Sequence, residues 1–334
     1  VALCEHLTEW LGAPRFEAAG TAPFDGGHEA LAHSIALFTG PRGDRRDTVA
    51  FAVPSYPYWT AVAASDRRGL ALEAYDAPGF LAALARADPD RVGAVILPWP
   101  NNPLGYSFSE DEVAQLNALS RARGWGMVID LAYYPFLDHA ERAALRALDV
   151  DRTVFCISVS KAWCSPGLRL GFALTSAELG PILRARKAGQ AMFPSALKQA
   201  FLGYLLAHRP DLPQRVVATV MERRRALRTA LASLIEPELG ISLSARATSG
   251  LYEIVHIDDH CAATGDSAQR VALHLKERAG VRVRTPISFY PPGSAATRHQ
   301  FLRLAVGLVA DIEPGARALV GYFRDRHREP AIVP

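Results

Sequence analysis

The chain has 334 residues, of which 49% are hydrophobic and 21% charged, and its formal net charge is +3 at pH 7. This composition excludes a largely disordered protein, and the length suits one large domain with a smaller one or two comparable domains. Basic residues are scattered among acids, so nucleic-acid binding is not expected. No apolar run approaches the ~18 residues that cross a bilayer, so no membrane partner is expected either.

Four cysteines are spread along the chain and form no C-x-x-C pair. This spacing suggests neither a zinc site nor a disulfide framework. We therefore expect no metal and a reducing, cytoplasmic compartment.

Short apolar runs alternate with amphipathic segments over the first half of the chain. The runs predict strands at residues 48–55, 92–100, 126–134, 153–160 and 170–176. The amphipathic segments at 78–87 and 109–124 predict helices. Continuous apolar strands are typical of a sheet buried on both faces, so we expect an α/β domain with a mainly parallel sheet.

The second half changes in character. A long helical region is predicted from 179 to 234, with an interruption at 208–214. Strands are then predicted at 250–257, 281–286 and 301–307, and helices at 267–280 and 312–326. The resulting prediction is a large domain over residues 1–210 and a smaller α+β domain over 211–334.

Two polar features occur at places where ligands bind in α/β folds. Gly26 and Gly27 precede a helical stretch, where backbone N–H groups and the helix dipole favour an anion, although a plain turn also fits. Asn102 follows a predicted strand within an Asn-Asn-Pro-x-Gly sequence, which is first of all a turn.

Asp130 ends a buried strand, where its carboxylate needs a cation, although an N-cap also fits. Lys161 follows the next strand in the sequence SVSKAWCSPGLRLG. A lysine amine forms Schiff bases with carbonyl groups, and the nearby Arg169 is suited to bind phosphate at two points. The carboxyl ends of parallel strands meet at one edge, so these side chains are expected to lie together.

In this order, the Gly-Gly loop, N-P-x-G, D-x-A-Y and S-x-S-K-x4-P-G-L-R-x-G resemble the motifs of the class I and II aminotransferases. These are fold type I enzymes that depend on pyridoxal 5′-phosphate (PLP). The resemblance covers about residues 20–310. It implies a PLP-binding large domain with a smaller α+β C-terminal domain, and a homodimer. It also implies a segment before the first helix that this sequence does not carry.

The resemblance implies a role for each matching residue. Lys161 would form the Schiff base with PLP and move the substrate Cα proton. Asp130 would pair with the pyridine nitrogen. Tyr133 and Asn102 would hydrogen-bond the phenolic oxygen, and Asn102 would also lie next to the substrate. The phosphate would be held by Gly26, Gly27, His28, Ser158, Ser160 and Arg169.

Two further roles follow from the same resemblance. Tyr56 would stack on the pyridine ring, although Tyr56, Tyr58 and Trp59 also suit a hydrophobic core. Arg303 would bind the substrate α-carboxylate at two points. His28 departs from the small polar residue common at its position, and it would hydrogen-bond the phosphate or reach toward the substrate.

The function implied is transfer of an amino group from an amino acid to a 2-oxo acid. Related enzymes carry out β- or γ-elimination, replacement or cyclisation with the same motifs, so these reactions remain alternatives. A regulatory or inactive binding protein of the same fold is disfavoured, because Lys161, Asp130 and Arg169 are all retained.

Overall fold

The computed structural model describes residues 2–12, 16–190, 192–244, 250–294, 299–307 and 311–328. The chain forms two compact units. The first comprises Val1–Asn102 and Tyr106–Val217, and the second Pro103–Gly105 and Ala218–Pro334.

A seven-stranded sheet forms the core of the first unit. Its strands are β1 (Thr21–Phe24), β2 (Thr48–Val53), β3 (Arg68–Glu73), β4 (Val92–Pro98), β5 (Gly126–Asp130), β6 (Thr153–Ser158) and β7 (Gly171–Leu174). Their order across the sheet is β1-β7-β6-β5-β4-β2-β3. The pairs from β3 to β6 are parallel, and only β7 runs against its neighbours. The predicted α/β fold with a mainly parallel sheet is thus confirmed.

The central strands are buried along their whole length. Every residue of β2, β4 and β6 is buried, as continuous apolar runs predict for strands of a parallel sheet. Helix α2 (Gly27–Phe38) packs against β4, β5, β6 and β7. The other helices that precede residue 212 are α1 (Ala2–Leu11), α3 (Tyr58–Ala64), α4 (Ala77–Ala85), α5 (Glu110–Arg123), α6 (His139–Arg146), α7 (Val159–Ala162), α8 (Leu179–Gln190) and α9 (Ala196–His208).

Local signals set the ends of the helices. In α5, Ser109 accepts from the N–H of Glu112 while the Glu112 carboxylate accepts from the N–H of Ser109, which satisfies two donors that the helix leaves unpaired. Gly124 ends the same helix with φ 65°, a conformation that glycine adopts without strain. This helix was predicted from the same residues.

The second unit contains a smaller antiparallel sheet in the order β10-β9-β8. Its strands are β8 (Ser242–Leu243), β9 (Tyr252–His256) and β10 (Phe301–Ala305). The remaining helices are α10 (Leu212–Leu234), α11 (Asp258–Thr264), α12 (Ala268–Arg278) and α13 (Glu313–Arg328). Glu253 of β9 is fully buried and binds Arg224 and Arg228 of α10 at 3.3 and 2.5 Å. A buried carboxylate needs such partners, so these ion pairs fix α10 on the sheet.

Two predicted elements differ in the structure. Residues 281–286 were predicted as a strand but make only a single bridge, between Arg284 and Arg303, because Pro286 lacks the N–H that would extend the pairing. The long helical region breaks before α9 as well as before α10. No helix in the part of the chain that the structure describes is long and apolar enough to cross a membrane.

Candidate active site

Six of the seven strands of the large sheet end at the same edge. The strands from β2 to β6 are parallel, and β1 runs in the same direction because both β1 and β6 are antiparallel to β7. Strand β7 starts at this edge, where Gly171 is in register with both Phe24 and Ser158. The residues that follow the six strands therefore lie at the carboxyl edge of the sheet, where open α/β sheets bind ligands.

The Gly-Gly loop is held tightly against the neighbouring strands. Gly26 has φ 110°, and a Cβ on it would lie 2.7 Å from the Arg169 guanidinium. A Cβ on Gly27 would lie 3.2 Å from Cβ of Ser158, and one on Gly171 would lie 2.5 Å from the carbonyl carbon of Gly26. Because these three glycines have no side chain, the N-terminus of α2 can lie directly beside Ser158 and Arg169. Such an arrangement presents N–H groups, a hydroxyl and a guanidinium to one anion.

The motif around Lys161 folds back on itself. Ser158 caps the short helix α7, and its Oγ accepts from the N–H of Ser160 at 3.3 Å. Lys161 lies on α7 and is half-buried, whereas Arg169 is exposed and adopts φ 48°. The chain thus returns from Lys161 to the Gly-Gly loop at Arg169, which places the amine and the guanidinium at the same edge.

Asp130 lies at the end of β5 and has two donors. Its Oδ1 accepts from the N–H of Ala132 at 2.9 Å, and its Oδ2 accepts from the Tyr58 hydroxyl at 2.9 Å. Burial raises the pKa of Asp130, although both hydrogen bonds oppose the rise. The carboxylate is thus desolvated with neutral donors, and a protonated pyridine nitrogen would supply the cation that favours its charged form. The site therefore fits PLP at this position.

Aromatic rings surround Asp130 and the Gly-Gly loop. The ring of Tyr56 lies 5.5 Å from that of Tyr58 and 6.4 Å from that of His28, centroid to centroid. Burial and the charge of Asp130 raise the pKa of Tyr58 well above its usual value, with smaller effects from Tyr56 and Tyr133. Burial and then the charge of Arg169 lower the pKa of His28. His28 is therefore favoured as a neutral imidazole.

Asn102 follows β4 and is buried, with 6% of its surface exposed. The neighbouring Asn101 donates its side-chain amide to the carbonyl of Pro54 at 3.3 Å, and its N–H donates to the carbonyl of Tyr106 at 2.7 Å. The turn between β4 and α5 is thus tied to the segment after β2. Asn102 follows β4 and Tyr56 follows β2, and these two strands are neighbours in the sheet.

Two groups of residues at the edge were not predicted from the sequence. Tyr58 was interpreted only as a core residue, and the distance of 72 positions between it and Asp130 gave no signal of their hydrogen bond. The second group consists of Lys187 and Lys198, which bind Asp25, the residue before Gly26. Asp25 lies 2.9 Å from Lys198 and 3.4 Å from Lys187, and these lysines lower its pKa. These ion pairs fix the entry to the Gly-Gly loop.

Arg303 lies on β10 of the second unit. Its guanidinium carbon is 3.9 Å from the centre of the Tyr252 ring and 5.1 Å from that of Phe289. Aromatic faces attract a guanidinium and hold its plane, so the side chain is oriented before any ligand binds. Its backbone N–H donates to the carbonyl of Arg284 at 2.8 Å, which fixes the strand from which it extends.

Of the residues predicted from the sequence, the first unit brings eleven to the carboxyl edge. They are Gly26, Gly27, His28, Tyr56, Asn102, Asp130, Tyr133, Ser158, Ser160, Lys161 and Arg169. Among the described residues, no group of three or more His, Cys, Asp or Glu could hold a metal ion. The chemistry that this edge offers is therefore an amine, a desolvated carboxylate and an anion-binding loop.

Comparisons with known proteins identify the family and the fold. The family model for class I and II aminotransferases matches residues 1–319. An aromatic amino acid aminotransferase of Corynebacterium jeikeium is 30% identical over 228 residues, which are 67% of this chain and 58% of that protein. A probable N-succinyldiaminopimelate aminotransferase of Mycobacterium tuberculosis is 28% identical over 243 residues, 70% of this chain and 56% of that protein. The chain thus spans less than two thirds of the length of these relatives.

Solved structures show the same fold. An aspartate aminotransferase from Thermotoga maritima superposes with a TM-score of 0.79 at 16% identity, covering 97% of this chain and 80% of that one. A methionine aminotransferase from Escherichia coli superposes with a TM-score of 0.80 at 18% identity, covering 96% and 81%. Members of the matched family use PLP, so the cofactor expected from the sequence is confirmed along with the fold class. The chain belongs to the class I and II aminotransferases, the fold type I family of PLP-dependent enzymes.

Proposed function

We propose that the protein is a PLP-dependent aminotransferase that moves an amino group from an amino acid to a 2-oxo acid. The observation that carries the proposal is the convergence at one sheet edge of Lys161, Asp130 and the Gly26–Arg169 cradle. When bound, PLP supplies an aldehyde that takes up an amine and a ring that withdraws electrons from the substrate Cα.

The residues of the edge would hold the cofactor at its two ends. The N–H groups at the start of α2, the hydroxyls of Ser158 and Ser160, and the guanidinium of Arg169 would bind the phosphate. Asp130 would bind the pyridine nitrogen and keep it protonated. Because Tyr58 donates to Asp130, it would also hold the carboxylate in position for that nitrogen.

Rings and amides would fill the space between these ends. Tyr56 would lie against one face of the pyridine ring, where an aromatic side chain excludes water. Tyr133 and Asn102 would donate to the phenolic oxygen, and Asn102 would also contact the substrate. A neutral His28, next to the start of α2, would donate one hydrogen bond to the phosphate.

Lys161 is the best candidate among four lysines for the amine that bonds the cofactor. Lys187 is buried in ion pairs with Glu29 and Asp25, and Lys198 also pairs with Asp25. Lys276 lies exposed on α12. The Lys161 amine would carry the proton between the substrate Cα and the atom that receives it.

Arg303 would bind the α-carboxylate of both the amino acid and the 2-oxo acid. Its stacking on Tyr252 holds the guanidinium plane, and a two-point pair fixes the orientation of Cα. A carboxylate is common to donor and acceptor, so one arginine serves both halves of the reaction.

We also propose a cytoplasmic homodimer. Leu197, Phe201 and Tyr204 recur along α9 and leave 79%, 45% and 59% of their surfaces exposed. Such a stripe on a folded protein is typical of a surface that another chain covers. A second copy suits it because a symmetric dimer buries the same apolar face twice. The four cysteines are free thiols, which suits a reducing compartment.

The proposed reaction is tested by incubating the PLP-loaded protein with single amino acids and no 2-oxo acid. Transfer predicts that one donor converts bound PLP to pyridoxamine 5′-phosphate in a 1:1 ratio and releases its own 2-oxo acid. A donor that is consumed repeatedly without pyridoxamine 5′-phosphate would instead show elimination, replacement or cyclisation. Size measurement by light scattering, with Phe201→Glu as the disrupted variant, tests the dimer.

A further inference from the structure

A cavity of about 480 Å³ lies beside α2, between that helix, the turn after α3, and α8. We call it the α2–α8 cavity. The polar and charged side chains of its wall include His28, Glu29, His33, Asp66, Arg67 and Arg186. All of these residues belong to the first unit.

Neither Arg67 nor Arg186 forms an ion pair with a carboxylate of the residues that the structure describes. Arg67 is buried, and its donors go to neutral oxygens: the hydroxyl and carbonyl of Thr39 and the carbonyls of Ser65 and Asp66. Burial and then the charge of Arg186 lower the pKa of Arg67. Within the described chain, the buried Nε of Arg186 has no hydrogen-bond acceptor. Two like charges thus face one cavity with donor capacity left over.

The acids of the wall are already engaged. Glu29 accepts from Nζ of Lys187 and from the N–H of Asp25, both at 2.7 Å. Asp66 lies 3.6 Å from Arg42 on the surface, where both side chains are more than half exposed. The charges of Asp66, Asp44 and Asp47 partly offset that of Arg67. Among the described residues, Arg186 has no carboxylate within ion-pair distance, so the uncompensated positive charge of the cavity lies at Arg186.

We propose that the α2–α8 cavity binds a small oxyanion, a carboxylate or a phosphate, at a site separate from the cofactor cradle. Arg186 supplies the two-point contact and Arg67 a second positive charge. His33, which is 6% exposed, supplies a neutral donor to the same oxygens. The volume suits a metabolite of a few carbon atoms and excludes a macromolecular segment with its own fold.

The site has a direct connection to the cofactor region. His28 forms part of the cavity wall, and its pKa also responds to the charge of Arg169. An anion in the cavity thus lies one side chain away from the phosphate cradle. The proposal does not depend on which reaction the protein catalyses, because it concerns binding alone.

The test is isothermal titration of the PLP-loaded protein with succinate and, separately, with inorganic phosphate at constant ionic strength. PLP already fills the phosphate cradle in this form, but Arg303 would also bind a carboxylate. Both titrations are therefore repeated with Arg303→Lys, and saturable binding of one anion per chain that persists in that variant reports the second site. Arg186→Gln should weaken binding by about 10-fold or more, since a charge-assisted two-point contact is lost. Arg45→Gln removes the same charge from an exposed pair with Asp90, and its affinity should equal that of the unaltered protein.

A second variant acts without changing charge. Ala32→Met narrows the cavity from the α2 side and should weaken binding as well. The PLP content and circular dichroism of each variant show whether folding and the cofactor site are intact. The anion that binds more tightly identifies the ligand class.

Three results would overturn the proposal. The first is the absence of saturable binding of either anion to the holoenzyme. The second is an equal loss in Arg45→Gln and Arg186→Gln, which would indicate a general charge effect. The third is a protein that binds neither anion and whose dimer dissociates more readily in the Arg186→Gln variant. That result would indicate that a second copy of the chain fills the cavity.

Discussion

The hydroxyl of Tyr58 donates to Oδ2 of Asp130 across 2.9 Å. The tyrosine ring is almost fully buried, and the carboxylate ends a buried strand. The hydrogen bond stabilises the charged form of Asp130, which burial disfavours. Tyr58 is therefore a positioning residue for the group that would bind the pyridine nitrogen.

Tyr58→Phe should slow the conversion of bound PLP to pyridoxamine 5′-phosphate by an amino acid about 10-fold, because the Asp130 carboxylate loses a hydrogen-bond donor. This change in rate is equivalent to an increase of ~1.4 kcal/mol in the activation free energy. Single-turnover absorbance measurements check this rate. Tyr134→Phe is the matched control, since Tyr134 is equally buried but its hydroxyl lies 3.4 Å from Nε2 of His6. Equal rates in the two variants would contradict the role of Tyr58.

Gly26→Ala should weaken PLP binding by about 10-fold or more. The added Cβ would lie 2.7 Å from the Arg169 guanidinium, and alanine is strained at φ 110°. Equilibrium dialysis against PLP measures the change. Gly189→Ala is the control, because the residue is inside α8 and, among the described residues, no atom beyond its chain neighbours and its own helix backbone lies within 4 Å of the added Cβ. That variant should bind PLP normally and be more stable by up to ~1 kcal/mol.

The loop before β2 should lose stability in acid. Burial raises the pKa of Asp47, but the N–H of Gly43 and the guanidinium of Arg68 outweigh it and lower the pKa to about 2. The unfolded chain, with its higher pKa, binds more protons as the pH falls, so this stability is present above pH ~4 and is lost toward pH 2.

Integrating this difference gives a loss of roughly 1 kcal/mol between pH 6 and pH 3. Asp47→Asn should lower the free energy of unfolding at pH 6 and remove that part of its pH dependence. Urea unfolding of both proteins at the two pH values measures the effect. An identical pH dependence in the variant would show that Asp47 does not cause it.

Arg303→Lys should raise KM for the amino acid about 10-fold or more and leave PLP binding unchanged, because an ammonium cannot form a two-point pair. Steady-state kinetics and dialysis measure the two effects separately. Arg270→Lys is the control. Arg270 is an exposed arginine on α12 that pairs with Asp266. A similar KM in both variants would remove Arg303 from the substrate site.

The sequence was sufficient to predict the elements that carry strong periodic signals. The short apolar runs of β4, β5 and β6 are typical of buried parallel strands, and the capping residues of α5 are local. Since the carboxyl ends of such strands coincide, the neighbourhood of Asp130 and Lys161 followed as well.

Contacts between residues far apart in the chain could not be predicted in the same way. The Tyr58 hydroxyl reaches Asp130 across 72 positions, and Lys187 reaches Glu29 across 158. Neither pair has a local pattern, since each depends on how helices pack on the sheet. The wrong strand prediction at 281–286 has a different origin, because Pro286, which lacks the N–H needed for pairing, is visible in the sequence itself.

Borohydride reduction followed by peptide mass spectrometry tests whether Lys161 bonds the cofactor. Reduction fixes PLP to the lysine that holds it. We expect the added mass on the peptide that contains Lys161, its loss in Lys161→Ala, and its retention in Lys276→Ala. Added mass on Lys187, Lys198 or Lys276 in the unaltered protein, or on no lysine at all, would contradict it.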